Sequence, residues 1–212
     1  TDFHSVPHRV VNPVTDEILS VVLENPEGCP IYVGRVISDV DITRTTPIWM
    51  IERLRRSGIR SVDVIVDITN YVMLELGQPM HAFDRNLLDG EITVRFAEEG
   101  ETLTLLDGKI LILSSDVLII ADDKKPLALA GIMGGVHSGI SNKTTTIFLE
   151  SAFFNPVIIA GKARRYALNT EASTRYERGV DWRLPQRACE RATELVQEIC
   201  GGRPGPVVVT EV

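Results

Sequence analysis

EITVRFA (91–97), ETLTLLDGKILIL (101–113), VLIIADD (117–123) and LALAGIM (127–133) follow one another with three residues between each, and TTIFLES (145–151) comes eleven residues later. Each is rich in β-branched or large aliphatic residues and is bounded by Gly, Asp, Asn or Ser, the pattern of short strands joined by turns. Asp107-Gly108 inside the second run suits a two-residue type I′ hairpin turn, in which both central residues take φ > 0. In the last run, alternation puts Ile147 and Leu149 on one face and Phe148 and Glu150 on the other.

Helices are expected on both sides of this block. Upstream, Thr46 caps a helix that begins at Pro47, carries Ile48, Ile51 and Leu54 at three-residue intervals, and stops at Gly58. SVDVIVD (61–67) reads as a strand, and Asp67 as the cap of a second helix that runs to Leu76 and ends at Gly77 and Pro79. Further out, EILSVVLE (17–24) and IYVGRVISDV (31–40) read as strands. Downstream, Asn155-Pro156 opens a third helix. Asp181 opens a fourth, on which Leu184, Ala188, Leu195 and Ile199 share a face until Gly201-Gly202. Regular βαβ alternation is absent, which argues against a Rossmann-type sheet. The expectation is an α+β fold: a mixed or antiparallel curled sheet, barrel-like, flanked by about four helices.

The 212 residues hold 22 Lys+Arg against 29 Asp+Glu, a net charge of −7, with 44% apolar and 24% charged residues. These are ordinary globular values and exclude a disordered or collagen-like chain. A chain this long buries about 70% of its unfolded surface and needs no disulfide or metal staple. No apolar run approaches the ~20 residues that span a bilayer. The opening TDFHSVPHRV has no apolar signal core, so a cytoplasmic location is expected. Cys29, Cys189 and Cys200 form no CxxC pair and read as reduced structural thiols. A start at Thr1 rather than Met suggests a piece of a longer chain or a processed product.

Charge is uneven. Residues 161–191 carry eight basic and four acidic residues, a local excess of +4 in an acidic chain, and Arg53, Arg55, Arg56 and Arg60 form a second basic knot. Such patches suit either a phosphate backbone or a solvated face with internal ion pairs.

The chain has no G-x-S-x-G, H-E-x-x-H or P-loop signature. Among the histidines only His4 and His8 stand at a metal-ligand spacing, in a Pro-flanked terminus, so no metal site is expected. Four places can carry chemistry. His81 in GQPMHAFD (77–84) follows a helix stop, where an imidazole positions water or a hydroxyl, or serves only as a structural hydrogen-bonder. AGIMGG (130–135) lets a ligand approach backbone N–H groups, or is only a tight turn. Glu150 shares a strand face with Phe148, so it is either partly buried and in need of a donor, or an edge salt bridge. NTEASTRYERGVD (169–181) reads as a long polar loop between helices, with small Thr170 and Ala172 available to line a cavity.

Taken together, VDVIVDITNYVMLELGQPMHAFD (62–84), LALAGIMGGVHSGI (127–140), FLESAFF (148–154) and GKARRYALNTEASTRYERGVD (161–181) resemble the B3/B4 module of the bacterial phenylalanyl-tRNA synthetase beta subunit. The resemblance implies an extended lead-in at 1–27, a B3/B4-like editing domain at 28–202 and a C-terminal tail at 203–212. It implies hydrolysis of tyrosine mis-esterified to tRNA(Phe), with the family's editing residues matched by His81, Gly134, Glu150, Thr170 and Ala172. Catalysis would fall to His81, Gly134 and Glu150, and substrate binding to Glu150, Thr170, Ala172 and Gly134. The implied partners are the acceptor end of tRNA(Phe), the synthetase alpha subunit and the remaining beta-subunit domains, with no membrane. No cofactor is implied in this domain; ATP and Mg would serve the parent synthetase elsewhere. The alternative is a non-catalytic structural or tRNA-docking module.

Overall fold

The structure, a computed structural model, describes residues 9–212 and builds the strand-rich middle into two open sheets. His4 and His8 lie outside the described residues. In chain order the elements are β1 (Val21–Leu23), β2 (Ile31–Ser38), α1 (Ile48–Arg56), α2 (Val64–Leu76), β3 (His81–Asp84), β4 (Ile92–Phe96), β5 (Thr102–Thr104), β6 (Ile110–Ile112), β7 (Leu118–Ala121), β8 (Pro126–Leu129), β9 (Met133–Gly134), β10 (Ile147–Phe153), α3 (Pro156–Ile159), α4 (Lys162–Arg165), α5 (Glu171–Arg178), α6 (Pro185–Cys200), β11 (Arg203–Pro204) and β12 (Val208–Glu211).

One sheet has the order β1-β4-β7-β8-β9, antiparallel except where β1 runs parallel to β4. The other has the order β11-β2-β10-β3, with β12 also on β2, all antiparallel. β5 and β6 form a separate hairpin. The α+β class therefore holds, but the sheet does not close into a barrel. The reason is the double burial of β2 and β10. Phe148, Ala152, Tyr32, Val36 and Phe83 pack toward the first sheet, while Ile147, Leu149, Val33, Ile37 and Ala82 pack under α1, α2 and α6. A sheet with both faces covered is the middle of three layers and gains nothing by closing on itself. The alternation expected at 147–150 is the one observed. Residues 203–212, expected as a tail, contain β11 and β12.

Several local expectations change. SVDVIVD is not a strand: α2 starts at Val64, capped by the Asp63 carboxylate, which accepts from the N–H groups of Ile65 and Val66. Alternating Val and Ile imitate a strand, but this helix is buried nearly all round and so has no polar face to reveal its period. Asp67 sits inside the first turn and binds Thr46 Oγ1, Ser61 Oγ and Val62 N instead of capping. Thr46 is thereby diverted from capping α1, whose N-cap is Pro47. On α1 the buried pair is Met50 and Leu54, with Ile48 exposed. A three-residue interval drifts around a helix of 3.6 residues per turn, whereas i and i+4 stay on one side. Gly77 ends α2 in the left-handed region, φ 79°, as expected.

In the 105–109 turn only Gly108 has positive φ, and its N–H bonds to Leu105 O. This is a type I turn closed by a left-handed glycine, not type I′. Residues 171–178 form α5, not a loop. α6 begins at Pro185, after a turn in which Asp181 O accepts from Leu184 N. Among the described residues four helices have eight or more residues, and α3 and α4 are single turns. All three cysteines are buried and unpaired. Among the described residues no helix is long and apolar enough to cross a membrane.

Candidate active site

The register of the middle sheet brings the first two candidates together. Glu150 in β10 pairs directly with His81 in β3 and, on its other side, with Gly34 in β2. Cross-strand partners share a face, with Cβ atoms about 4.5–5.5 Å apart. Both side chains therefore point toward the first sheet, into a half-open pocket there with room of about 60 Å³. On the scale where one water needs about 10–15 Å³, that suits a handful of waters or one side chain.

The walls come from four directions. Met80 precedes His81; Gly131, Met133 and Gly134 come from the glycine-rich turn; Ile120, Ala128 and Leu129 come from β7 and β8; Ala172 and Tyr176 come from α5. His81, Gly134, Glu150 and Ala172 thus line one cavity. Thr170 stands behind the wall. Its hydroxyl accepts from Ser173 N, capping α5, and donates to the Ile132 carbonyl at 2.9 Å, which ties the helix to the glycine turn.

The electrostatics are those of buried ionisable groups. Glu150 is 5% exposed, and its Oε2 has no partner in the protein. Burial pushes its pKa from 4.5 up to about 8, and the Tyr32 hydroxyl pulls part of the way back. Burial lowers His81 from 6.5 to about 4, and Nε2 is likewise unpartnered. At neutral pH the pair is a neutral imidazole beside a largely protonated carboxyl. Both unpartnered atoms belong to residues that line the pocket, where a bound group can satisfy them.

Gly134 has a local task of its own in the pocket lining. A Cβ there would lie 2.5 Å from His81 Cε1 and 2.7 Å from Nε2, so the missing side chain is what seats the imidazole. The turn also offers fewer free donors than its glycines suggest. The N–H groups of Ala130, Ile132 and Gly135 bond to Leu118 O, Leu129 O and Leu127 O. Gly131, at φ 69°, would carry a Cβ 2.9 Å from the Tyr176 ring.

Tyr176 and Met80 are pocket residues that sequence reading did not single out. Tyr176 lies four residues after Ala172, the spacing of one helix face, and that signal is available only once 171–178 is read as a helix. At least five of the eight basic residues in 161–191 are ion-paired, three of them with acids outside the segment. Lys162 and Arg165 hold Asp116, Arg175 holds Glu171, Arg183 holds Asp181, and Arg191 bridges Glu75 and Glu194. In the second knot Arg55 and Arg56 pair with Glu52, and Arg53 lies over the Trp49 ring. Among the described residues no group of three or more His, Cys, Asp or Glu could hold a metal ion.

Residues 28–201 match the family model of the B3/4 domain. This chain belongs to the B3/4 domain family. The B3/4 chain is 61% identical over 194 residues to the phenylalanine–tRNA ligase beta subunit of Hahella chejuensis, covering 92% of this chain and 25% of that protein. It is 59% identical over 213 residues to the same subunit of Pseudomonas savastanoi pv. phaseolicola, covering 100% of this chain and 27% of that one. It therefore spans about a quarter of the length of the curated relatives it matches. The crystal structure of an N-terminal fragment of the phenylalanyl-tRNA synthetase beta subunit from Pyrococcus horikoshii shares the fold, with TM-score 0.61 at 13% identity over 97% of this chain and 58% of that one.

Proposed function

We propose that this B3/4 domain edits: within a phenylalanyl-tRNA synthetase it hydrolyses tyrosine wrongly esterified to tRNA(Phe). The supporting observation is the cross-strand pair of buried Glu150 and half-buried His81, each lining one pocket and each with a buried, unpartnered polar atom. Tyrosine exceeds phenylalanine by one para hydroxyl. An apolar pocket rejects an added hydroxyl by only about 10²-fold. A second pocket that requires the hydroxyl inverts the test, because a phenyl ring leaves its buried partner unsatisfied at a cost of about 1–3 kcal/mol. Glu150 is that partner. In its protonated form it both donates to and accepts from a phenol.

The reaction is water attack on an activated ester. Water adds to the carbonyl carbon, the oxyanion collapses, the bond to the ribose oxygen breaks, and the ribose oxygen ends protonated. No covalent nucleophile is needed. His81 is too weak a base at about pKa 4 to hold a proton at neutral pH. Its role is to orient water or the ribose hydroxyl through Nε2. Ala172 limits pocket depth, and Thr170 holds the helix that carries it.

The acceptor end of tRNA(Phe), the alpha subunit and the other beta-subunit domains are the partners this reading requires, in the cytoplasm and with no cofactor in this domain. The test is deacylation of tyrosyl- against phenylalanyl-tRNA(Phe) by the complete synthetase. Glu150→Ala should lower the preference for the tyrosyl ester by about tenfold or more, and Ala172→Trp should let tyrosyl-tRNA accumulate. Unchanged preference and unchanged tyrosyl-tRNA levels in both variants would overturn the reading in favour of a non-catalytic docking module.

A further inference from the structure

On the β2 side of Glu150 lies a buried hydroxyl outside the pocket lining. Tyr32 in β2 is fully buried, and its hydroxyl has no hydrogen-bond partner. It pairs with Ala152, two residues along β10 from Glu150, so the two side chains share a sheet face as diagonal neighbours. Gly34, between Tyr32 and Val36, leaves the space over β2 to the Phe148 ring, whose Cζ would lie 2.3 Å from a Cβ there. Phe148 and the paired Phe83 ring wall in the Glu150 side chain from the direction of residue 148. Tyr32 approaches the carboxyl closely enough to oppose part of its upward shift, yet neither its hydroxyl nor Glu150 Oε2 makes a hydrogen bond of normal geometry.

An unsatisfied phenol beside an unsatisfied carboxyl, both buried, is costly on each side. The cost is relieved if the two engage when the pocket fills. We propose that Tyr32 is a positioning residue for Glu150: its hydroxyl takes up one carboxyl oxygen from the β2 side and thereby fixes the other toward the bound ligand's hydroxyl. This rests on the editing reading and adds a residue outside the pocket wall to it.

The other groups near the carboxyl are poorly suited to this role. The Tyr176 hydroxyl is engaged with the Ala152 and Pro79 carbonyls and with Gln78 Nε2. The Cys29 thiol, raised by burial and by the Glu150 charge, faces the Ile31 carbonyl. His81 lies across the strand pair, on the β3 side of Glu150, while Tyr32 lies on the β2 side.

The test compares Tyr32→Phe with wild type and Glu150→Ala in the complete synthetase, using tyrosyl- and phenylalanyl-tRNA(Phe) over pH 6–9. Tyr32→Phe keeps the ring and removes only the oxygen. The expected result is a loss of tyrosyl preference of about two- to tenfold, carried by KM rather than kcat. The pH at which preference changes should also move upward, because the group that lowers the Glu150 pKa is gone. A structural role alone would lower stability without moving that pH. If Glu150→Ala destroys preference while Tyr32→Phe keeps both the ratio and its pH dependence, the positioning role is wrong and the editing reading stands. If Glu150→Ala also leaves preference intact, both fall.

Discussion

Glu150 and His81 face each other across β10 and β3, and burial moves their pKa values in opposite senses. The consequences for stability differ in sign. Glu150 rises from 4.5 to about 8, so between those values the folded chain keeps a proton that the unfolded chain has lost, and stability falls as pH rises through the window. His81 falls from 6.5 to about 4, so in that window the unfolded chain holds the extra proton, and stability falls as pH drops. The two oppose each other below 6.5, and above it Glu150 acts without that opposition. The nearby Tyr32, Tyr176 and Cys29 are all held above their ordinary values and stay neutral there. We predict that stability drops by about 1–2 kcal/mol from pH 6.5 to 8, given about 1.4 kcal/mol per unit for one proton. Glu150→Gln should flatten that limb in thermal melts. Parallel curves for the two proteins over this range would show that the carboxyl is not held neutral.

At the scale of elements, α5 determines whether the pocket has a wall. Its residues 171–178 are polar and Arg-rich, and on sequence alone they read as a loop. What makes them a helix is local: Thr170 and Ser173 form a reciprocal cap, and Glu171 supplies an acid to the first turn. The Thr170 hydroxyl also anchors the helix start on Ile132 O. Thr170→Val removes both the acceptor and the donor and should cost about 1–2 kcal/mol. Clearance of tyrosyl-tRNA should fall with it, and Thr170→Ser should restore both. A melting temperature for Thr170→Val equal to that of wild type would discount the cap.

The same element shows what sequence can reveal. Where one residue's chemistry sets the structure, the reading holds: Gly77 stops α2, Asn155 caps α3, and the faces of 147–150 follow from alternation alone. It fails where neighbours compete for a role, as when Asp63 rather than Asp67 caps α2 because Thr46, Ser61 and Val62 claim the second carboxylate. His81, Gly134, Glu150 and Ala172 stood out through their motifs. Tyr32 and Tyr176 did not, because their relation to Glu150 depends on strand register and helix phase, which no local motif carries.

Across the whole molecule, a single buried ion pair fastens segments that lie outside residues 28–201. Arg35, 1% exposed in the middle of β2, donates Nη1 to Glu190 Oε2 of α6 at 2.9 Å, Nε to the Gly205 carbonyl at 2.8 Å and Nη2 to the Val11 carbonyl at 2.7 Å. The same Glu190 oxygen accepts from Val11 N at 2.8 Å. The guanidinium thus joins the lead-in, the central strand, the longest helix and the returning C-terminal strands, and all three of its nitrogens are used. Two charges drawn out of water lose hydration that their mutual attraction only partly restores, so the pair as a whole adds little net stability. Breaking it is another matter, because the survivor is left buried and charged. Glu190→Ala should therefore cost about 3–5 kcal/mol, and Arg35→Met should leave the Glu190 carboxylate stranded at a similar penalty. The double variant Arg35→Met, Glu190→Leu removes both charges and keeps the volume, so it should be less destabilised than the two single changes summed, by a coupling of about 1–3 kcal/mol. Urea unfolding of the four proteins measures that coupling directly. Simple additivity would mean that the lead-in and the C-terminal strands are held by their backbone pairing and not by this charge cluster.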